Sequence, residues 1–268
     1  MKKINLLLVA AFITSSIFAQ EQQGLTSKKG EPFLPETGEW AISINASPFL
    51  SYFGNFIGGN GLNAAPNFNY LTTNQTIIGK YFIDPETAYR AGVRLGFSSD
   101  GLTTKVPATG SATTQVDNKR TDTGSDIGLT VGKEWRKGKT RLQGFYGAEA
   151  GLNLSSTGST YTYGNAMTST TAARTTEDKS GTTFGIGVRG FIGAEYFVLP
   201  KMAIGGEFGW GVGLTSTGEG QRTTESWSGT AATTTTTKTG GNSSFGFDTD
   251  HINSIFGPSG TIRLTLHF

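Results

Sequence analysis

Cysteine is absent from the 268 residues, which removes disulfides, thiol catalysis and Cys-metal sites from consideration. A dominant charge is missing too: 22 Lys and Arg against 20 Asp and Glu leave a formal +2, and the basic residues are scattered. Nothing in that balance calls for a polyanionic partner, so nucleic acid binding is not expected. After residue 19 there is no apolar run long enough for a spanning helix, so no helical anchor is expected in an exported chain.

The one apolar run is at the start. MKKINLLLVAAFITSSIFAQ carries two lysines, an apolar stretch from Ile4 to about Phe18 and a small residue at Ala19, the pattern of a secretory signal peptide. The run is shorter than the roughly 18 residues of a membrane helix. Cleavage is expected after Ala19, although Ile17 departs from the usual small residue two positions earlier. Residues 1–19 are thus read as the signal peptide and 20–37, with two prolines and no periodicity, as a periplasmic lead-in. Residues 38–268 form one domain.

What the chain has in abundance is glycine (39 residues), threonine and period-2 alternation. The last eight residues, TIRLTLHF, set Ile262, Leu264, Leu266 and Phe268 on one parity and Thr261, Arg263, Thr265 and His267 on the other, a strand with one apolar and one polar face. Seven earlier segments alternate likewise, their apolar parities including Trp40 and Ile42, Ile77 and Tyr81, Tyr89 and Val93, Leu129 and Val131, Leu142 and Tyr146, Ile186 and Val188, and Ile204 and Phe208. The connections alternate in length. Asp84 to Thr87, Arg136 to Thr140 and Leu199 to Lys201 read as tight turns, whereas 53–74, 99–124, 155–180 and 215–250 read as long loops rich in Gly, Ser and Thr. Short turns on one side and long loops on the other fit periplasmic turns and extracellular loops. Pro48 to Ile57 is ambiguous, since Phe49, Phe53 and Phe56 make a helical stripe while Leu50 and Tyr52 extend the strand parity; a short helix or turn at the outer mouth is expected.

The opposite parity carries the charges: Arg90, Arg94, Glu134, Arg141, Glu149, Arg189, Glu195, Glu207 and Arg263, interleaved with glycines such as Gly92, Gly132 and Gly205. Two readings fit alternation alone, a membrane barrel with these charges in its lumen and a soluble barrel with them in water. Aromatic placement favours the first, because Trp40, Tyr81, Tyr89, Trp135, Tyr196 and Phe268 fall at the turn-side ends of their strands on the apolar face, where an interfacial girdle belongs. Lys133, beside Trp135, is the one charge on the lipid parity and can snorkel. The expected fold is an all-β, antiparallel, eight-stranded transmembrane up-and-down barrel with long extracellular loops. Its lumen network is Arg90, Arg94, Glu134, Glu149, Arg189, Glu195, Glu207 and Arg263, and Phe268 is the terminal aromatic of the closing strand. Glu207 and Arg263, each five residues from the turn-side end of neighbouring strands, are expected to pair.

These features carry a resemblance. The eight segments, the Arg and Glu lumen, the terminal TLHF and the stretches PETGEWAISINASPFLSYFGN, GKYFIDPETAYRAGVRLGF and GAEYFVLPKMAIGGEFGWGVGL resemble small outer-membrane barrels, the superfamily that includes the transmembrane domain of outer membrane protein A. The resemblance spans most of residues 38–268, through loose Gly-aromatic motifs. It implies the outer membrane of a Gram-negative cell envelope, outer-membrane lipid around the barrel and the barrel-assembly machinery as a partner during insertion. It departs from protein A where the chain stops with the closing strand, so a peptidoglycan-binding domain and a cell-wall tether are not expected.

Catalysis is weakly supported. His251 lies near Asp248, Asp250 and Ser254, a set that could serve a loop-borne hydrolase or a cation, but a lone loop histidine near carboxylates is more often solvated. His267 is expected at the periplasmic rim. The lumen carboxylates, balanced by arginines, read as structural pairs rather than an acid and base. The runs GFGWGVG and FGIGVRG lack a following helix, which excludes a nucleotide loop. No cofactor or metal is expected, and no enzymatic activity. The expected role is structural or interactive, through the outer loops or as an accessory subunit of an envelope complex. The alternative is a narrow, porin-like channel or lateral path for small apolar solutes.

Overall fold

Period-2 alternation of the kind read above becomes, in this computed structural model, a continuous antiparallel sheet of twelve strands, eight of which close into a ring. The structure describes residues 25–50 and 76–268. The signal peptide at 1–19, the first residues of the lead-in, the connection 53–74 and residues 51–57 of the aromatic segment lie outside the described residues. The strands are β1 (Trp40–Asn45), β2 (Ile77–Asp84), β3 (Thr87–Pro107), β4 (Gln115–Lys137), β5 (Leu142–Thr162), β6 (Arg174–Lys179), β7 (Thr183–Leu199), β8 (Met202–Thr217), β9 (Gly220–Trp227), β10 (Ala232–Thr239), β11 (Asn242–Phe247) and β12 (Gly260–His267). A four-residue helix, α1 (Asn253–Phe256), precedes the last strand.

The ring runs β1, β2, β3, β4, β5, β7, β8, β12 and back to β1. It closes where Ala41 to Asn45 pair with His267 to Arg263, and Trp40 and Phe268 exchange backbone hydrogen bonds of 3.0 and 2.9 Å. Three tight connections lie at this same end. Asp84 accepts from the Glu86 amide (2.8 Å), Gly138 takes the left-handed φ of 122° that a side chain would disfavour, and Lys201 sits at φ 61° with its ammonium on Glu39.

Parity decides what is inside. Along the ring strands the apolar set is exposed or half-exposed, apart from Ala46, which is buried where β1 gives way to the helical turn at residues 47–50. The opposite parity is buried and carries the charges. A soluble barrel with the apolar set inside is therefore not the arrangement this ring adopts.

The expectation of eight strands joined by irregular loops needs correction. Most of 99–124, 155–180 and 215–250 is strand: β3 and β4 stay paired out to Pro107 and Gln115, β6, β9 and β10 add to the outer part of β5, and β11 pairs with the outer part of β8. Threonine favours the pleat, yet on strands exposed on both faces it needs no hydrophobic alternation, so a period-2 search finds nothing there. Arg136, expected in a turn, likewise belongs to β4 and is buried.

One row across this extension, Asp100, Asp122, Ser159, Asp178, Arg222 and Thr237, stands at matched register on six strands. Asp122 accepts from Ser159 at 2.5 Å and from Arg120 at 2.8 Å, and Arg222 donates to Asp178 at 2.6 Å. The Ser159 hydrogen bond first, then Arg120, holds the Asp122 carboxyl below its usual range. Its contribution is present above the ordinary carboxylate pKa and lost as pH falls through the lowered value. Amides of 119–123 and 158–162 should accordingly exchange faster at pH 3 than at pH 6 once intrinsic rates are removed; equal protection would show that Asp122 contributes nothing. Limited proteolysis should cut first at the hairpin tips, residues 108–114, 163–173 and 228–231, and leave the paired strands between them intact.

Candidate functional site

The ring interior is filled by long charged side chains because glycines stand opposite them. A Cβ on Gly205 would meet Glu195 Cγ at 2.6 Å, and one on Gly209 would meet Arg189 Nη1 at 2.6 Å. Small residues on one strand thus make the space that Arg and Glu from the next occupy, the large-small alternation that a narrow closed sheet needs.

Nearest the turns, Glu134 and Glu195 are bridged by two cations. Lys80 Nζ lies 3.0 Å from Glu134 and 3.1 Å from Glu195, while Arg136 reaches them at 2.6 and 2.5 Å and donates to Gln143 at 2.9 Å. Thr265 donates to Glu195 at 3.0 Å, so β12 joins the same cluster. The next level centres on Arg90, which forks onto Glu207 at 2.9 and 3.1 Å and approaches Glu134 at 3.5 Å. Its Nε lies 3.1 Å from Glu149 without the alignment of a hydrogen bond, and its guanidinium covers the Phe191 ring at 4.0 Å. Arg189 ties Glu149 (2.6 Å) to Glu207 (2.9 Å). Farther out, Arg94 binds Asp126 at 2.9 Å and the Ser254 carbonyl of α1 at 2.5 Å. All of these side chains are buried except Asp126, which is half-buried.

Apolar groups close both ends. At the outer end Ile252, Ile255 and Phe256 pack into the mouth, Ile255 against Gly151, Gly185 and Gly213, with Arg189 5.1 Å from the Phe256 ring. At the turn end Phe33, from a segment bridged by Thr26 and Pro32, packs on Phe197 and Ala203, and Arg141 stacks over it at 3.9 Å. His267 lies between Phe82 and Phe197, 5.3 Å from each ring, with neither nitrogen hydrogen-bonded.

The eight residues expected in the lumen all lie on the inner face, but the expected partnership of Glu207 with Arg263 is the weakest contact there, 3.9 Å. Arg263 is opposite Gly205 while Glu207 is opposite Thr261, so ring stagger offsets the two by a pleat. Glu207 is held instead by Arg90 and Arg189, and Arg263, whose Nε makes that long contact without a hydrogen bond, reaches the Thr76 carbonyl at 3.4 Å. Arg141 stays outside the cluster, and His267 lies at the turn-side end as expected but is buried there. Lys80 and Arg136 were overlooked by sequence reasoning although both carry the inner parity, Lys80 between Ile78 and Phe82 and Arg136 two residues after Glu134.

The hydrolase or cation set weighed around His251, and not expected there, has little to support it, although the ring is more enclosed than a solvated loop histidine would be. The His251 backbone amide donates to Asp248 at 2.6 Å, while its ring Nε2 is buried without a hydrogen-bond partner. Among the described residues, no group of three or more His, Asp or Glu is placed to hold a metal ion. What the interior provides is fixed, mutually neutralised charge. No protein-family model matches the chain, and no curated protein matches it.

Removing Arg90, which serves three carboxylates, should cost roughly 3 to 5 kcal/mol because they are left buried and undercompensated. Arg263→Met should cost far less than Arg90→Met. Denaturant unfolding of the two variants checks the order, and a larger loss for Arg263→Met would contradict the network described here.

Proposed function

We propose that the protein is a non-enzymatic β-barrel of the outer membrane, filled by its own side chains, with a structural or interaction role through the sheet it projects outward. The observation that carries this reading is the inverted partition of the ring, charges buried and large apolar side chains exposed, which water disfavours and hydrocarbon requires. Two aromatic pairs near the turns support an interfacial girdle: Trp40 with Tyr81, ring centres 4.9 Å apart, and Trp135 stacked with Tyr146 at 5.7 Å. The resemblance to the small barrels around outer membrane protein A points the same way, as does the leader-like N-terminus. Outer-membrane lipid surrounds such a barrel, the barrel-assembly machinery inserts it, and an envelope complex is a natural setting for its outward sheet.

A narrow channel or lateral path for small apolar solutes is the second reading. The wall among the described residues favours it, since there β1, β2 and β12 have six to eight residues while β3, β4 and β5 have more than twenty, and a tilted spanning strand needs about 9 to 11. Against it stand the ion pairs and the two apolar caps, which fill an interior that in eight strands is only wide enough for side chains.

The protein should fractionate with outer membranes and shift its gel mobility on boiling, and the purified protein should give no single-channel steps in planar bilayers. Recovery in the soluble periplasm would overturn the barrel reading. Reproducible conductance would replace the filled barrel by the channel.

A further inference from the structure

The outward face of the ring is not uniformly ridged. Across β5, β7 and β8 it holds an open apolar groove of about 660 Å³, floored by Ala148 and Gly190 and walled by Val188, Ile192, Trp210 and Phe247. The far wall is firm, because Trp210 and Phe247 meet edge to face with ring centres 4.2 Å apart. Gly190 leaves room no backbone contact demands: a Cβ there would meet nothing nearer than the Gly147 carbonyl, at 3.8 Å.

The groove begins beside a cation. Lys133 is the register partner of Ala148, and among the described residues short of the outward extension it is the one charged side chain on the outward parity of the ring strands apart from Lys137, which ends β4 at the turn and faces Glu86 at 3.7 Å. Among the described residues no carboxylate lies within ion-pair distance of it; its ammonium rests 5.9 Å from the Tyr89 ring centre and 5.4 Å from that of Trp135. Lys133 is four residues from the turn end of β4, Ala148 six from that of β5, Trp210 eight from that of β8, and Phe247 is level with Val212, ten from it. From Lys133 to Phe247 the path therefore rises roughly 15 Å along tilted strands, about half of a ~30 Å hydrocarbon core and so the depth of one leaflet.

A lone cation at the interface, continuous with an apolar slot one leaflet deep, is the outline of a single lipid. We infer that this face binds one phospholipid of the turn-side leaflet, its anionic headgroup on Lys133 between Tyr89 and Trp135 and an acyl chain laid over Ala148 and Gly190 against Trp210 and Phe247. The assignment rests on the outer-membrane barrel reading, and goes beyond it in naming a lipid class and a site. A zwitterionic lipid fits the slot equally well but presents no net charge to Lys133, so selectivity for an anionic headgroup is the signature.

The test uses the full-length mature protein reconstituted in vesicles of phosphatidylglycerol and phosphatidylcholine in equal parts. Insertion is scored by the boiling-dependent gel shift, and lipids retained after transfer to mild detergent are counted by native mass spectrometry. The wild type should retain one phosphatidylglycerol in preference to phosphatidylcholine. Lys133→Gln should lower that preference roughly fivefold, the effect of about one interfacial charge. Gly190→Leu, which fills the slot without a backbone clash, should lose the retained lipid of either kind while still inserting. Equal retention of the two lipids, an unchanged preference in Lys133→Gln or undiminished retention in Gly190→Leu overturns the site with the barrel reading intact. A chain that fails to insert overturns both.

Discussion

The constraint on which the rest depends is that Glu134, Glu149, Glu195 and Glu207 are buried in a closed sheet and must be neutralised by cations from other strands. Lys80 comes from β2, Arg90 from β3, Arg136 from β4 and Arg189 from β7, so no hairpin carries the whole set. Half-formed, the interior would leave carboxylates uncompensated, at several kcal/mol each. Closing the ring and completing the charge network are therefore one cooperative event. The same requirement fixes register. A slip of one residue turns a strand over, sending its charges outward and its apolar set into the network.

The caps serve the same constraint. Below the network, Phe33, Phe82, Phe197 and the unbonded His267 form an aromatic floor; above it, Ile252, Ile255 and Phe256 form a lid set on glycines. Excluding water raises the cost of any unpaired charge and strengthens every pair, so the pairs and caps reinforce each other. Arg94 links them physically, binding Asp126 on the wall and the Ser254 carbonyl in the lid. The lid is thus tied to the network by a charge-assisted hydrogen bond as well as by packing.

Strand positions and faces in the ring were legible because hydrophobic alternation is strong wherever one side must be apolar, as at Ile186, Val188 and Ile192. Four things were not. Lys80 was passed over because GKYF is too short a stretch for its parity to stand out, and Arg136 because the glycine and lysines after it suggested an earlier turn. The partner of Glu207 depends on stagger, a property of the closed ring and of no single strand; a count from the turns gives Arg263, while the side chains choose Arg90 across the interior. The outward strands escaped notice because Thr on both parities gives no contrast to detect, as in β10.

That last blindness follows from how the two halves of the sheet are held. Inside the ring each charge has fixed partners, and substituting Arg90 disturbs three carboxylates at once. In the extension Arg222 and Asp178 form a pair open to solvent and salt, and pairs of that kind contribute little. There the backbone ladder and the β propensity of threonine hold the strands, and the outward side chains are nearly free of structural duty. Sequence in the extension can consequently change with little cost to folding, whereas the interior cannot. The sheet formed by the outer parts of β3, β4 and β5 together with β6, β9 and β10 is therefore the part of this chain on which folding places the fewest demands.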